Sequence, residues 1–456
     1  MRNSSIHRIA LVPAALLALV PAAQADELSQ LRDQLQTLEQ KILVLERKQE
    51  IKDDDAATAA KSAPKVSITD KGFALASGDG ANSIKLRGLA QLDSRFYFGD
   101  NGASRDTFVL RRARIIAEGT FAKHFSFQLV PELGGSSVSI LDANLDVAVN
   151  RALSFKFGKF KSPVGLELLQ SDSWTFFNER SIVTNLVPNR DLGVQASGNA
   201  LDGTVNYSAG IFGGVPDGGS SNNSDFDNDK DFVARIYTTP FKRDSESPLA
   251  GFSLGVSASL GREKTASGLT GGYKTDGQQT FFKYASTTIS EGQTWRISPQ
   301  LEYRSGPFGL LGEYVVSTVN VRPSATGAKA ELQNKAWQIA TGYVLTGENS
   351  SYSGVAPKSN FDPAHGTWGA FEVTARYANL RIDDAAFPLY ASAASNADEA
   401  SSVGVGLNWY LAKAVAFKFD FYQTKFGFAP GAPAASTSAI LHQDEKAFIT
   451  RFQVAF

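Results

Sequence analysis

The chain has 456 residues, 40 of them glycine and 31 phenylalanine, with no cysteine, one methionine and 4 histidines. Without cysteine there can be no disulfide frame, thiolate metal site or thiol nucleophile, and a net charge of −1 excludes the strong basic field of a nucleic-acid binder. A mean hydropathy of −0.16 argues against a bundle of membrane helices, and the many aromatics and glycines favour a β-rich chain with polar residues spread evenly along it.

Arg2 and Arg8 flank a short basic region, Ile9 to Val20 is apolar around Pro13, and Ala23-Gln24-Ala25 fits the small-x-small cleavage pattern. Residues 1–25 therefore read as a secretory signal peptide. Leu28, Leu31, Leu35, Leu38, Ile42 and Leu45 then recur at spacings of 3 and 4 between solvated residues. This a/d seam predicts a coiled-coil helix over residues 26–52. So narrow a stripe cannot hold a helix alone, so the reading is self-association, as a homotrimer. The alternative is an amphipathic helix lying on its own domain. The same segment is also a candidate for cell-wall contact. Residues 53–83, opening on Asp53-Asp54-Asp55, read as a flexible linker.

From residue 84 to Phe456 the dominant period is 2. Val403, Val405, Leu407 and Trp409 alternate with Gly404, Gly406 and Asn408, and Val415, Phe417, Phe419 and Phe421 alternate with Ala416, Lys418, Asp420 and Tyr422. Strands can be placed near 84–98, 107–121, 123–133, 140–149, 152–158, 191–200, 203–213, 231–240, 250–262, 293–305, 308–321, 333–345, 367–381, 400–411, 413–424 and 446–456, with Gln278–Tyr284 a seventeenth candidate that an even strand number excludes. Aromatics near strand ends (Tyr97, Trp295, Tyr303, Trp368, Tyr377, Trp409, Tyr410) resemble interface girdles. Short turns at Ala122, Asn150-Arg151, Gly306-Pro307 and Ala412 alternate with longer loops, although 346–366 is longer than this asymmetry predicts. The expected fold is all-β: a sixteen-stranded antiparallel transmembrane β-barrel in the lipid of a Gram-negative outer membrane, enclosing an aqueous channel.

The longest early break in alternation, 159–190, holds Lys159, Lys161, Trp174, Phe176, Phe177, Glu179, Arg180 and Arg190. Folded into the lumen it would narrow the pore; the alternative is an extracellular loop packed on itself or on a neighbouring subunit. Alternation assigns twelve basic and nine acidic side chains to the lumen, with the basic excess on the first, second and fifth strands. Arg95, Arg111-Arg112-Ala113-Arg114 and Lys156 belong to that zone. Arginine forks suit phosphate and carboxylate oxygens, so one reading is an anion-attracting zone. The other is a set of pairs with Asp93, Glu118 and Asp142 that stiffens the wall. Within the break Lys159, Lys161, Arg180 and Arg190 balance Glu167, Asp172, Glu179 and Asp191, which predicts a transverse field and not a positive ring.

Several stretches together carry a family resemblance: Phe108 to Arg112, Phe155-Lys156-Phe157-Gly158-Lys159-Phe160, Gly165-Leu166-Glu167, Glu179-Arg180-Ser181, Asp191-Leu192-Gly193-Val194-Gln195, Tyr343 to Glu348 and Gly406-Leu407-Asn408-Trp409-Tyr410. From about residue 84 onward the chain resembles the phosphate-selective porin O and P family of Gram-negative bacteria. The resemblance implies a trimeric sixteen-stranded anion channel whose constriction holds phosphate with arginines and lysines. Arg111 and Arg112 would match the family's paired constriction arginines, and Asp142 its constriction aspartate. Leu168, Ser173 and Ser126 stand where a basic residue is expected, and 262–292 holds Arg262, Lys264, Lys274 and Lys283 but no arginine ladder. The resemblance thus carries fold and channel activity, without high phosphate specificity. The expected function is passive diffusion of small anions such as phosphate or pyrophosphate. The alternative is a general diffusion or carbohydrate porin, with the aromatics of 159–190 stacking on sugars. His124, His365 and His442 share no face with one another, so neither a hydrolase triad nor a zinc site is expected, and no cofactor.

Overall fold

The computed structural model describes residues 22–99, 104–135, 137–225, 227–265, 269, 271–429 and 444–456. Of the signal peptide expected over residues 1–25, residues 1–21 lie outside the described residues, as does His442. The chain forms two units, a helical one ending at Ala63 and a barrel unit from Pro64 to Phe456.

The first unit is one unbroken helix, α1 (Ala22–Ser62). Its seam residues Leu28, Leu31, Leu35, Leu38, Ile42 and Leu45 are 56, 61, 57, 58, 48 and 64% exposed, so the helix does not bury this stripe within itself. Residues 53–62, expected to be linker, continue the helix, because an alanine-rich sequence has high helix propensity. Pro64, which lacks the N–H a further turn needs, follows its end.

The expected linker is also wrong beyond Pro64, where β1 (Lys65–Thr69) and β2 (Gly72–Ala76) form a hairpin. The wall follows as β3 (Ser83–Tyr97), β4 (Thr107–Phe121), β5 (Phe125–Glu132), β6 (Ser139–Asn150), β7 (Leu153–Lys161), β8 (Arg190–Ala200), β9 (Val205–Phe212), β10 (Asp231–Thr238) and β11 (Phe252–Lys264). A separate two-stranded piece, β12 (Tyr273–Lys274) with β13 (Thr280–Phe282), interrupts it. The wall resumes with β14 (Ile289–Ser305), β15 (Phe308–Arg322), β16 (Ala330–Val344), β17 (Ala370–Arg381), β18 (Glu399–Ala412), β19 (Val415–Gly427) and β20 (Glu445–Ala455). Every wall strand pairs antiparallel with the next, and β20 pairs with β3 to close the ring. The closed barrel therefore has sixteen strands, each overlapping one predicted from alternation. The seventeenth candidate, Gln278–Tyr284, lies outside the wall, in part as β13.

Closure is finished by the last residue: Gly88 N–H donates to Phe456 O at 2.8 Å, and Phe456 N–H donates back to Gly88 O at 3.0 Å. A Cβ on Gly88 would come within 2.6 Å of the Phe456 ring, so glycine here lets that ring lie across the seam. Outside, the alternating residues Val403, Val405 and Leu407 are 49, 51 and 37% exposed, as a lipid-facing surface requires. The tight turns at 122–124, 151–152, 306–307 and 413–414 share the end where β3 begins and β20 stops; short turns mark the periplasmic end.

Candidate functional site

Residues 162–189 leave the top of β7 and fold into the lumen; the extracellular alternative is excluded. Beyond one short 3-10 turn at Ile182–Leu186 the segment has no secondary structure, so its peptide groups need partners elsewhere. The wall supplies them. Carbonyls of Asp172, Ser173, Thr175 and Phe176 accept from Gln91 (3.1 Å), Gln453 (3.0 Å), Lys418 (2.6 Å) and Asn408 (2.9 Å). The N–H groups of Leu166 and Asn178 donate to Glu313 (2.8 Å) and Asp420 (2.6 Å). Leu166, Phe177, Val183 and Leu186 are at most 1% exposed.

Two further segments, unforeseen from sequence, join it. From the extracellular end Asp276 is buried against Arg376 (3.0 Å), Ser402 Oγ (2.7 Å) and the N–H of Ile182 (3.1 Å). From the periplasmic end the long turn 345–369 brings Tyr352 upward: its hydroxyl donates to Leu166 O at 2.9 Å, and its carbonyl accepts from Gln170 at 2.9 Å. The 162–189 segment and the segment around Asp276 build an apolar core inside the barrel, with Ile182, Val183, Leu186, Phe281 and Phe282 packed in one cluster with Val315, Val319, Val321, Leu332 and Ala336 of β15 and β16. Tyr352 packs on a second cluster that includes Leu166 and Phe177. One signal was present in the sequence: Tyr314-Val315-Val316 makes β15 apolar on both faces, which a water-facing wall would not be.

At the other rim of the inserted segment stands an arginine cluster. Gln91 pairs with Arg112 but Leu92 pairs with Leu110, so Arg111 is the extra residue of a β-bulge. Both adjacent arginines thereby reach the lumen, which strict alternation forbids. Arg111 makes a two-pronged contact with Glu179 (2.6 and 3.0 Å). Arg112 donates to Gln91 (2.6 Å) and lies 3.4 Å from Asp172. Arg114 joins Glu132 (2.6 Å) to Asp172, and Arg180 also holds Asp172. Arg95 lies 3.3 Å from Asp93 and 3.6 Å from Glu179, and Arg451 ties the same two carboxylates at 2.6 and 2.8 Å. Burial alone would raise the Asp172 and Glu179 carboxyls, but the surrounding arginines hold both well below the ordinary carboxylate range.

The wall from β3 to β10 faces open space. A cavity of about 810 Å³ there is lined by seven basic side chains (Arg87, Arg114, Arg151, Lys156, Lys161, Arg190, Arg235) and three acidic ones (Asp142, Asp146, Asp172). Neutral amides, among them Gln128, Asn144, Gln195, Asn199 and Asn206, line it as well. Of the site residues expected from sequence, Arg114, Lys156, Lys161, Arg190 and Asp142 border this space; Arg95, Arg111, Arg112, Lys159 and Arg180 do not. Asp142 is engaged by Arg190 at 3.1 Å and not by the arginine pair. Lys161 clamps the start of the inserted segment by donating to Leu168 O (2.6 Å) and Gln170 O (3.0 Å). Lys156 has its nearest acid, Asp146, at 3.8 Å, and its side chain is 33% exposed. Arg87 and Arg235 were legible as lumen-facing but lay outside the group expected to bind anions. Phe176 and Phe177 are 7 and 0% exposed, so neither ring is free to stack on a sugar.

A closed sixteen-stranded barrel, lipid-facing outside, with an inward-folded segment beside a charged open space, is a porin-type channel of the outer membrane. The family model for phosphate-selective porins O and P matches residues 84–456, and the chain belongs to that family. It is 24% identical over 428 residues to Porin O of Pseudomonas aeruginosa, covering 88% of this chain and 93% of that one. Among solved structures it resembles the outer membrane channel DcaP of Acinetobacter baumannii (TM-score 0.52, 12% identity, 83% of this chain and 98% of that one). It also resembles a trimer form of OmpT from Vibrio cholerae (TM-score 0.51, 12% identity, 82% and 100% covered). The fold and family are those of channels.

Proposed function

We propose that this porin passes small anions, phosphate and pyrophosphate among them, by passive diffusion along the β3–β10 side of the lumen. The observation that carries the reading is the lining of the open space, seven basic side chains against three acidic. Such a wall raises the local concentration of anions and lowers that of cations. Of the seven, Arg151 is exposed, Lys156 has a 33% exposed side chain with its nearest acid at 3.8 Å, and Arg87, also 33% exposed, donates to Glu118 at 2.7 Å. Of the family-matched pair, Arg111 is 29% exposed but has both prongs on Glu179, and Arg112 is only 6% exposed, so the reading rests on the lining of the open space. Adding phosphate to single channels bathed in KCl tests specificity. Block of chloride current at submillimolar phosphate supports a phosphate site; an unchanged current leaves a general anion pore.

Neutral amides and hydroxyls along the same wall favour a second reading, a general diffusion porin without phosphate preference. With Phe176 and Phe177 buried, carbohydrate stacking would fall to Trp174, which is half-buried. We further read residues 1–25 as the export signal and α1 as a parallel coiled coil that joins three copies, with its solvated faces available to the cell wall. Deleting residues 26–52 tests this: trimers and wall attachment that both persist would deny the segment either role.

A further inference from the structure

We propose that the β1–β2 hairpin is a contact surface between copies of this chain; this rests on reading α1 as a self-associating coil. Val66 lies opposite Leu75 and Ile68 opposite Phe73; Leu75 and Phe73 in turn lie opposite Ile84 and Leu86 of β3. Directly opposed residues of antiparallel strands share a face, so these six form one apolar sheet surface. Lys85, between Ile84 and Leu86, turns inward to Glu118 at 3.1 Å, so the apolar surface points out of the barrel. Val66 and Ile68 are 62 and 80% exposed, and Ile68 is the most exposed large apolar side chain among the described residues.

The hairpin occupies the seam. β20 pairs with β3 only from Leu89 onward, and β2 takes over the pairing of β3 at Ser83–Leu86. Its tip is held by Asp70, 3.4 Å from Lys413 in the β18–β19 turn. β1 pairs with β2 on one side, and its other edge meets no described strand. An exposed five-residue edge with two β-branched apolar side chains is a template for association unless something covers it.

Chain connectivity names the cover. Only Ala63 and Pro64 separate the end of α1 from β1. Packed helices lie about 8–10 Å apart, and three Cα steps span at most about 11 Å. In an assembly joined along α1, the β1 strands of neighbouring copies therefore begin within about 30 Å of one another. At that spacing the apolar hairpin surfaces of neighbouring copies can cover one another, and the cover is a second copy and not lipid.

The cysteine-free chain allows a direct test. Single variants Ile68→Cys, Val66→Cys, Leu38→Cys on the coil and Ile339→Cys on the outer face of β16 are made in the full-length protein. Each is treated in outer membranes with a short bis-maleimide and read on a denaturing gel, with heat-modifiable migration showing that each barrel is folded. The proposal expects dimer and trimer bands from Ile68→Cys and Val66→Cys at several-fold the yield of Ile339→Cys. Cross-linking of Leu38→Cys with both hairpin variants left monomeric overturns the hairpin contact while the coil stands, and lipid is then its cover. Monomers at Leu38 and at both hairpin positions overturn the coil reading too. Hairpin cross-linking without Leu38 cross-linking supports the contact independently of the coil.

Discussion

Around β3 to β10 lumen-facing side chains border open space; around β14 to β19 they meet other protein. One sheet, with one strand period, builds both. On the open side the inward positions carry spaced charges and amides, such as Arg87, Gln128, Asn144 and Lys156. On the filled side they carry Val315, Val319, Leu332 and Ala336, interrupted by buried ions such as Arg376 with Asp276, which bolt the inserted segments to the wall. The filled half is a globular core turned inside out, and its stability follows core rules. The open half is a surface, where charge changes conduction at little cost in stability.

Variants sharpen that contrast, beginning with the largest effect. Arg451→Ala removes the closer of the two arginines that the buried Asp93 and Glu179 share, leaving Arg95 at 3.3 and 3.6 Å. Breaking such a pair costs about 3–5 kcal/mol, so the folded, heat-modifiable band should melt at a clearly lower temperature; an unchanged melt would mean that these ions do not hold the inserted segment. Phe177→Ala empties a fully buried site beside Tyr422. It should cost about 3–5 kcal/mol and raise single-channel conductance as the segment loosens. Lys156→Ala in the open half should change stability by no more than about 0.5 kcal/mol, measured by the same melt, so a large loss there would erase the distinction between the halves.

The pH response follows from Asp172 and Glu179. Their folded-state pKa values are depressed, so the stability they contribute is fully present above the ordinary carboxylate values of 3.8 and 4.5 and is lost only as pH falls through the depressed ones. The segment should therefore stay seated at pH 4, with single-channel conductance in KCl close to its value at pH 7. A stepwise rise between pH 5 and 4 would show that these carboxylates protonate in the ordinary range.

The sixteen strands were legible because lipid on one side and water or protein ions on the other impose a period of 2 on nearly every one. Legibility failed where that period breaks. Arg111 enters the lumen through a bulge, and the start of β14 at Ile289 precedes a register shift between Ser290 and Thr294. The short hairpin Lys65–Ala76 is too brief to outweigh its linker-like surroundings. The inward fold of 162–189 could be reasoned from its length and aromatics, but the partners of its charges could not. Asp172 and Glu179 meet arginines brought from distant strands, so the cluster that looked like an anion site from sequence is largely occupied by the protein's own carboxylates.

The central claim is that the charge of the open half sets ion preference. It is tested most directly by the zero-current potential of planar bilayers across a KCl gradient, for the native channel and for Arg87→Glu with Lys156→Glu. The account predicts a chloride-preferring sign for the native protein and a shift toward potassium in the double variant, with folding intact. A potassium-preferring native channel, or a potential that the double variant leaves unmoved, would contradict it.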